Sequence, residues 1–165
     1  MTVKRAFDPV VDANTRLLIL GSLPGDASLK AGQYYGHPRN GFWRLVGGVI
    51  GIDLVALRYA ERMLALRAAG VGLWDVIASA ERPGSLDAAI RHAEAADLNR
   101  LVDDLPALKA IAFNGATAAR HGRRSLTPGA RIDLIDLPSS SPANTLALAE
   151  KAAAWSILGT WLRRP

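Results

Sequence analysis

The sequence predicts an α/β fold in which a mainly parallel sheet is covered by helices on both faces. Two observations predict it. Four short apolar runs, at 17–20, 71–77, 110–113 and 131–137, alternate with stretches of helical periodicity. Each run also ends in a turn or polar loop, starting at Gly21, Asp75, Asn114 and Pro138, and in such sheets the working loops lie beyond the carboxyl ends of the strands. The length of 165 residues fits one domain, 1–165, that buries its core without staples.

Each element has a local reason. Residues 7–10 read as an extended lead-in, and Leu17-Leu18-Ile19-Leu20 as a buried strand between Arg16 and Gly21. The loop that follows is long, and it holds Tyr34, Tyr35, His37, Arg39 and Asn40 within seven positions. Loops of that length are usually functional or disordered, and this one is too rich in rings and hydrogen-bonding groups for disorder. Phe42, Leu45 and Val46 share a helical face, weakened by Gly47-Gly48. Asp53 caps an expected helix over 54–69, with Leu57, Leu64 and Leu66 inward, Arg58, Arg62 and Arg67 outward, and Gly70 closing it. The run 71–77 is a second strand with Asp75 at its carboxyl end, followed by a turn at 81–84 and a short helical piece over 85–95. Asp97 caps a helix over 98–104 that stops before Pro106. Strand 110–113 turns through Asn114-Gly115 into a helix over 116–123. Strand 131–137 leads through 138–144 into a last helix, 145–163, with Leu146, Ala149, Ala153, Ile157 and Trp161 at helical spacing.

Composition excludes several chemistries. There is no Cys, so there is no disulfide, thiolate nucleophile or cysteine-held iron–sulfur cluster. The three His residues, His37, His92 and His121, lack metal-ligand spacing, and no metal or other cofactor is expected. No signal-peptide core or membrane-length apolar run is visible, so a cytoplasmic protein without a membrane partner is expected. The net charge is +5 and the basic residues are 4 Lys and 16 Arg. Arginine forks bind phosphates bidentately, which suits a nucleic-acid partner. A GC-rich genome yields the same composition, so charge alone leaves the partner open.

The loops carry the candidates. Gly21-Ser22-Leu23-Pro24-Gly25 permits close backbone approach but is neither a Walker loop nor GxGxxG. Ser139-Ser140-Ser141-Pro142, ahead of a helix, reads as a phosphate site or as a capping segment. Tyr35 is the better stacking ring, since Phe42 and Trp43 fall in a helical pattern. His37 contacts phosphate or braces its own loop, and Asp75 binds a ligand or forms a turn. No Ser-His-Asp, Cys-His or HExxH arrangement is present, and Lys30 is the one Schiff-base candidate in the main loop.

Taken together, Gly21–Gly25, the run Gly32-Gln33-Tyr34-Tyr35-Gly36-His37-Pro38-Arg39-Asn40-Gly41-Phe42-Trp43, Gly72-Leu73-Trp74-Asp75-Val76, Phe113-Asn114-Gly115 and Leu137–Asn144 resemble the motifs of hypoxanthine-DNA glycosylases. These enzymes, also called DNA-deoxyinosine glycosylases, form a family of the uracil-DNA glycosylase superfamily. The spacing Tyr35-x-His37-Pro38-x-Asn40-x-Phe42-Trp43 is similar to that of the mismatch-specific uracil/thymine glycosylases as well. The resemblance implies a three-layer α/β/α sandwich around a four-stranded, mainly parallel sheet. It implies hydrolysis of the bond between a deaminated base and deoxyribose in DNA. Asn40 matches the family's catalytic amide and Tyr35 the ring that stacks on the flipped base. Gly21, Ser22, Leu23, Asp75 and Asn114 complete the base site, and His37, Ser139, Ser140, Ser141, Pro142 and Asn144 the DNA grip. Where many relatives carry a polar residue in the first turn, this chain has Leu23, so the water-handling duty passes to Asn40.

The expected enzyme is a monofunctional glycosylase of base excision repair, a monomer, associated with the nucleoid through its DNA. Hypoxanthine is the first substrate and uracil the second. The alternatives are a uracil- or mismatch-specific glycosylase, a non-catalytic module for damaged DNA, and a small nucleotide-binding protein.

Overall fold

The computed structural model describes residues 3–127 and 131–162. Its centre is a four-stranded sheet of β2 (Leu17–Gly21), β3 (Val71–Asp75), β6 (Ala110–Asn114) and β7 (Asp133–Leu137), in the order β3-β2-β6-β7 and parallel throughout. Leu17 and Ile19 enter one core cluster and Leu18 and Leu20 the other, so alternate residues of one strand face two separate helical layers. The first layer is α2 (Phe42–Ile50), α3 (Tyr59–Ala68) and α6 (Leu148–Trp155), which bring Phe42, Leu66 and Trp155 onto the sheet. The second includes α4 (Leu98–Asp103) and α5 (Ala116–Ser125). Helix α5 lies so close to β6 that a Cβ on Gly122 would stand 2.2 Å from the Phe113 ring. The three-layer α/β/α arrangement and the parallel sheet match the sequence expectation.

The register aligns the carboxyl ends. Gly21 pairs with Asp75, and Asn114 with Leu137. The order also reverses between β2 and β6, whose neighbours in sequence lie on opposite sides, and crevices form at such points.

Four expectations need correction. First, a second, antiparallel sheet, β1 (Val3–Arg5), β4 (Ile77–Glu81) and β5 (Arg91–Ala95) in the order β1-β4-β5, was not foreseen. The run 71–77 is two strands, because the chain turns at Val76, whose N–H donates to the Gly21 carbonyl at 2.8 Å. The expected helix over 85–95 is a single 3-10 turn at Asp87–Ala89 followed by β5. The helix-forming Ala and Glu of β5 are overridden by pairing with β4. Second, the main loop contains a short helix, α1 (Asp26–Ala31). Third, the helix over 54–69 breaks at extended Leu57 into a 3-10 turn, capped by Asp53, and α3, and Leu64 is 62% exposed rather than inward. Fourth, the last helix begins at Leu148 and continues through a 3-10 turn, Ser156–Leu158, into α7 (Gly159–Leu162). Its expected end at Arg163 lies outside the described residues. Leu146, Ala149, Ala153 and Ile157 face solvent, while Lys151, Trp155 and Leu158 are buried. Counting Ala as apolar picked the wrong stripe, because an Ala side chain offers little area to bury.

Candidate active site

A cavity of about 560 Å³ opens at the carboxyl edge of the parallel sheet. One wall is the first turn, 21–25, backed by residues 85–87, and the facing wall is 139–144. A larger depression, about 1000 Å³, lies at the opposite edge near Arg16, Arg67 and Gly70, but none of the expected site residues lines it. All thirteen of those residues line the smaller cavity: Asn40, Tyr35, Asp75, Gly21, Ser22, Leu23, Asn114, His37, Ser139, Ser140, Ser141, Pro142 and Asn144.

Gly21 and Asp75 end adjacent strands, and Tyr35 arrives from the long loop. A Cβ on Gly21 would stand 2.8 Å from Asp75 Oδ1 and 3.1 Å from the Tyr35 hydroxyl, so the bare backbone is what admits both groups. Asp75 is 4% exposed, and its Oδ2 is buried without a hydrogen-bond partner among the described residues. Burial, and then the Asp87 carboxylate, push its carboxyl up to about 7, against the pull of the Arg82 guanidinium. The Tyr35 hydroxyl is likewise buried and unpartnered among the described residues. Burial, then Asp75, hold this phenol above its usual range.

Tyr35 takes a left-handed backbone, φ 52°, rare for a non-glycine residue. Its ring stacks on Phe42 with centroids 3.8 Å apart and planes 11° from parallel, so one face is already covered. The Trp43 indole N–H donates to the Tyr35 carbonyl at 3.3 Å. Tyr34 is a core anchor, its hydroxyl donating to the Asp8 carbonyl at 3.0 Å.

Asn40 Oδ1 accepts from the Phe42 N–H at 3.0 Å, which orients the amide at the entrance of α2. Its Nδ2 has no partner among the described residues. The next N–H, of Gly41, donates to the Ser140 carbonyl at 2.9 Å and ties this loop to the facing wall. His37 accepts from the Arg39 N–H through Nδ1 at 3.1 Å, which leaves its Nε2 for an outside partner.

Asn114 is engaged on both sides by Ser140. Its Nδ2 donates to Ser140 Oγ at 2.9 Å, and its Oδ1 accepts from the Ser140 N–H at 2.8 Å. The amide expected to hold a base thus first clasps the two loops together. Ser139 Oγ accepts from the Ser141 N–H, Ser141 Oγ from the Ala143 N–H, and Asn144 Oδ1 from the Leu146 N–H. These serine oxygens act as acceptors, so their O–H groups remain able to donate to an anion. Leu23 lines the cavity but belongs to the core, and Ser22 donates to Asp87 Oδ1 at 2.7 Å.

Two supports escaped the sequence reading. Arg82 is 2% exposed and donates to the Gly84 carbonyl at 3.1 Å and to the Pro24 carbonyl, clamping the first wall. Lys151, 4% exposed, donates through Nζ to the Ser141 and Asn144 carbonyls at 3.0 and 2.9 Å, while the Trp155 indole donates to the Pro138 carbonyl at 2.9 Å. A lone Arg in a turn carries no sequence signal. Lys151 carried a faint one, as one of 4 Lys beside 16 Arg. Among the described residues no group of three or more His, Cys, Asp or Glu is placed to hold a metal.

The profile of the uracil DNA glycosylase superfamily matches residues 9–161. A protein named hypoxanthine DNA glycosylase from Methanosarcina barkeri (strain Fusaro / DSM 804) is 42% identical over 153 residues, covering 93% of this chain and 96% of its own length. Another of that name, from Methanosarcina acetivorans, is 41% identical over the same shares. The solution NMR structure of a candidate uracil DNA glycosylase from Methanosarcina acetivorans superposes with a TM-score of 0.87 at 39% identity, covering 99% of this chain and all of that one.

Proposed function

The chain belongs to the uracil DNA glycosylase superfamily and is a DNA glycosylase for deaminated bases, and from that premise we propose that its cavity receives a flipped hypoxanthine and that Asn40 carries the hydrolysis. The observation that supports this is convergence: the Tyr35 phenol and Asn40 amide of the long loop, the Asp75 carboxyl at a strand end and a serine-rich loop, from three separate segments, line a single cavity. A stacked base is out of reach of any side chain, so it turns out of the duplex at a cost of a few kcal/mol. Hypoxanthine pairs poorly, which lowers that cost. The hydroxyls of Ser139 and Ser141 and the free His37 Nε2 donate to backbone phosphates, buried Ser140 holds the loop through Asn114, and the 16 Arg supply charge.

In the cavity the C1′–N9 bond breaks, the electron pair goes to N9, and the sugar becomes oxocarbenium-like. The oxygen of a water bonds to C1′, and the water's proton neutralises the departing purine anion. Asn40 is too weak a base to take that proton. Its Oδ1, fixed by the Phe42 N–H, keeps one lone pair with which to aim the water, so it contributes proximity. Ionised Asp75 accepts from N1–H of hypoxanthine and repels the N1 lone pair of adenine. Uracil presents N3–H in the same sense, which supports it as the second substrate. One chain completes the cavity, which supports a monomer as the working unit.

The test is a duplex with one deoxyinosine, incubated with protein, treated with alkali and resolved on a gel. Wild type nicks the strand at the lesion. Asn40→Ala abolishes the nick yet binds the duplex with unchanged affinity. Asn40→Ser, which keeps an oxygen for the Phe42 N–H, controls for the lost turn hydrogen bond. Weakened binding with a normal single-turnover rate would refute the role given to Asn40.

A further inference from the structure

The attacking water gives up a proton that Asn40 is too weak a base to take, and we infer that Asp87 takes it and returns it to the departing purine. The inference rests on the glycosylase reading above and adds a catalytic residue to it. Asp87 lines the cavity, and its side chain is 44% exposed. Its Oδ1 accepts from the Ser22 hydroxyl at 2.7 Å and stands 3.8 Å from Arg82 Nη1. Its Oδ2 has no hydrogen-bond partner among the described residues. One oxygen is thus moored to the first turn while the other is left for a ligand. Ser22 precedes Leu23, whose side chain is buried in the core and cannot hydrogen-bond. The segment between β4 and β5 thereby brings a carboxylate to a turn that has no polar group at that position.

An exposed negative charge in a cleft that receives a polyanion repels phosphate, so a role in DNA binding does not account for it. The segment that carries it is also fixed in advance. The Gly84 carbonyl accepts from Arg82 Nε at 3.1 Å and from Lys4 Nζ, and Ser85 Oγ accepts from the Asp26 N–H at 2.9 Å. The Leu86 and Asp87 carbonyls accept from the Ala89 and Ile90 N–H groups at 3.0 and 3.1 Å. A group held in this way needs little reorganisation at the moment of reaction. Its rivals are engaged elsewhere. Among the described residues that line the cavity, the other carboxylate is Asp75 and the one imidazole is His37. Asp75 is buried at its strand end and is given to N1–H of the base, and exposed His37 is given to phosphate. In the step itself an O–H bond of the water breaks, its proton bonds to Asp87 Oδ2, and the freed electron pair on oxygen bonds to C1′. The proton then leaves Oδ2 for the purine anion, which holds the pair from the broken C1′–N9 bond, and the carboxylate is restored.

Single-turnover rates and duplex affinities are measured at pH 8 on a duplex with one deoxyinosine, for wild type, Asp87→Asn, Asp87→Ala and His37→Ala. That pH lies above the value of about 7 to which Asp75 is pushed, so Asp75 is the carboxylate throughout. Asp87→Asn keeps an acceptor for the Ser22 hydroxyl and loses the base, and it is expected to slow cleavage about a hundredfold. It binds the duplex as tightly as wild type or more tightly, because a repelling charge is gone. Asp87→Ala leaves room for a small carboxylate, and added formate is expected to raise its rate about tenfold or more without changing its affinity. Formate does not raise the rate of His37→Ala. Rescue reads the chemical step even where the variant is less stable, since a merely structural loss gives formate nothing to replace. An Asp87→Asn rate within about twofold of wild type, an Asp87→Ala enzyme indifferent to formate, or rescue of His37→Ala alone would overturn the assignment. Wild type inactive on inosine would instead overturn the glycosylase reading on which it stands.

Discussion

Asp75 is costly to the folded protein. Its carboxyl rises from 3.8 to about 7 because burial, and then Asp87, disfavour the charge more than Arg82 favours it, and its Oδ2 has no partner among the described residues. Tyr35, the other neighbour across Gly21, is a phenol whose own ionisation is suppressed, so it adds no charge to offset. A carboxyl raised on folding holds a proton that the unfolded chain has released. Stability is therefore intact below the unfolded value and declines as pH rises through the interval to about 7, by up to about 4 kcal/mol. The base reading proposed for Asp75 needs the opposite form, since only the carboxylate accepts from N1–H without ambiguity. Two results are expected. The wild-type kcat/KM on inosine DNA falls as pH drops through about 7, and Asp75→Asn lacks this limb and discriminates inosine from adenosine less sharply. The same variant melts higher than wild type at pH 8 and close to it near pH 4, because it never carries the buried charge. A variant with an unchanged acid limb and undiminished discrimination would refute the reading role, and one with no gain in melting temperature at pH 8 would refute the strain. Much of this site was legible because its parts sit at strand ends or in one dense loop. Asn40, Tyr35 and His37 fall within six consecutive positions, and Asp75 closes an apolar run. Arg82 was not legible, because nothing local says that a turn arginine will be buried against the first turn.

The last helix shows how an element positions a site without entering the chemistry. Trp155 holds the start of the 139–144 wall through the Pro138 carbonyl, and Lys151 holds its middle and end through two more carbonyls. The lysine is buried although its helical neighbours Glu150 and Ala152 are exposed, and burial lowers its pKa. Periodicity hides this, since a Lys on an amphipathic helix reads as the solvent side. The strand runs 17–20 and 110–113, by contrast, were legible because a strand buried on both faces is apolar without a break. The β4 and β5 pair was hidden for the converse reason, as β5 is exposed along its whole length and owes its shape to its pairing with β4 and not to burial. Lys151→Met keeps the length and removes both donors. Hydrogen bonds from a charged group contribute about 1.5–3 kcal/mol each, and water replaces part of that at a loop. The variant is expected to bind inosine DNA about tenfold more weakly, with faster amide exchange in 139–146 and unchanged exchange in β6. Unaltered affinity alongside faster loop exchange would show that the wall does not need this tether to grip DNA.

At the scale of the molecule, the residues proposed to read the base and those proposed to hold the strand are separable by charge. The charged carboxyls that line the cavity are Asp75 and Asp87, and the groups proposed to select beside Asp75, those of Asn40, Tyr35 and Asn114, are neutral. The net charge of +5, with 16 Arg, acts on any phosphate backbone regardless of the base it carries. Composition alone left open whether those arginines serve DNA or mirror a GC-rich genome, because a sequence total says nothing about which surface the charges occupy. Salt decides between the two. Each neutralised phosphate steepens the fall of log affinity with log salt by about 0.9 on duplex DNA, so a grip of about four to six phosphates gives a slope near −4 to −5. That slope is expected for plain and inosine-bearing duplexes alike, measured by anisotropy from low to physiological salt. The ratio of the two affinities should stay nearly constant, because the contacts proposed to set it, Asp75 included, are buried and little screened. A flat dependence would mean that the arginines do not meet phosphate. A ratio that collapses with salt would mean that lesion choice is made by charge on the surface and not by the amide, phenol and serine inside.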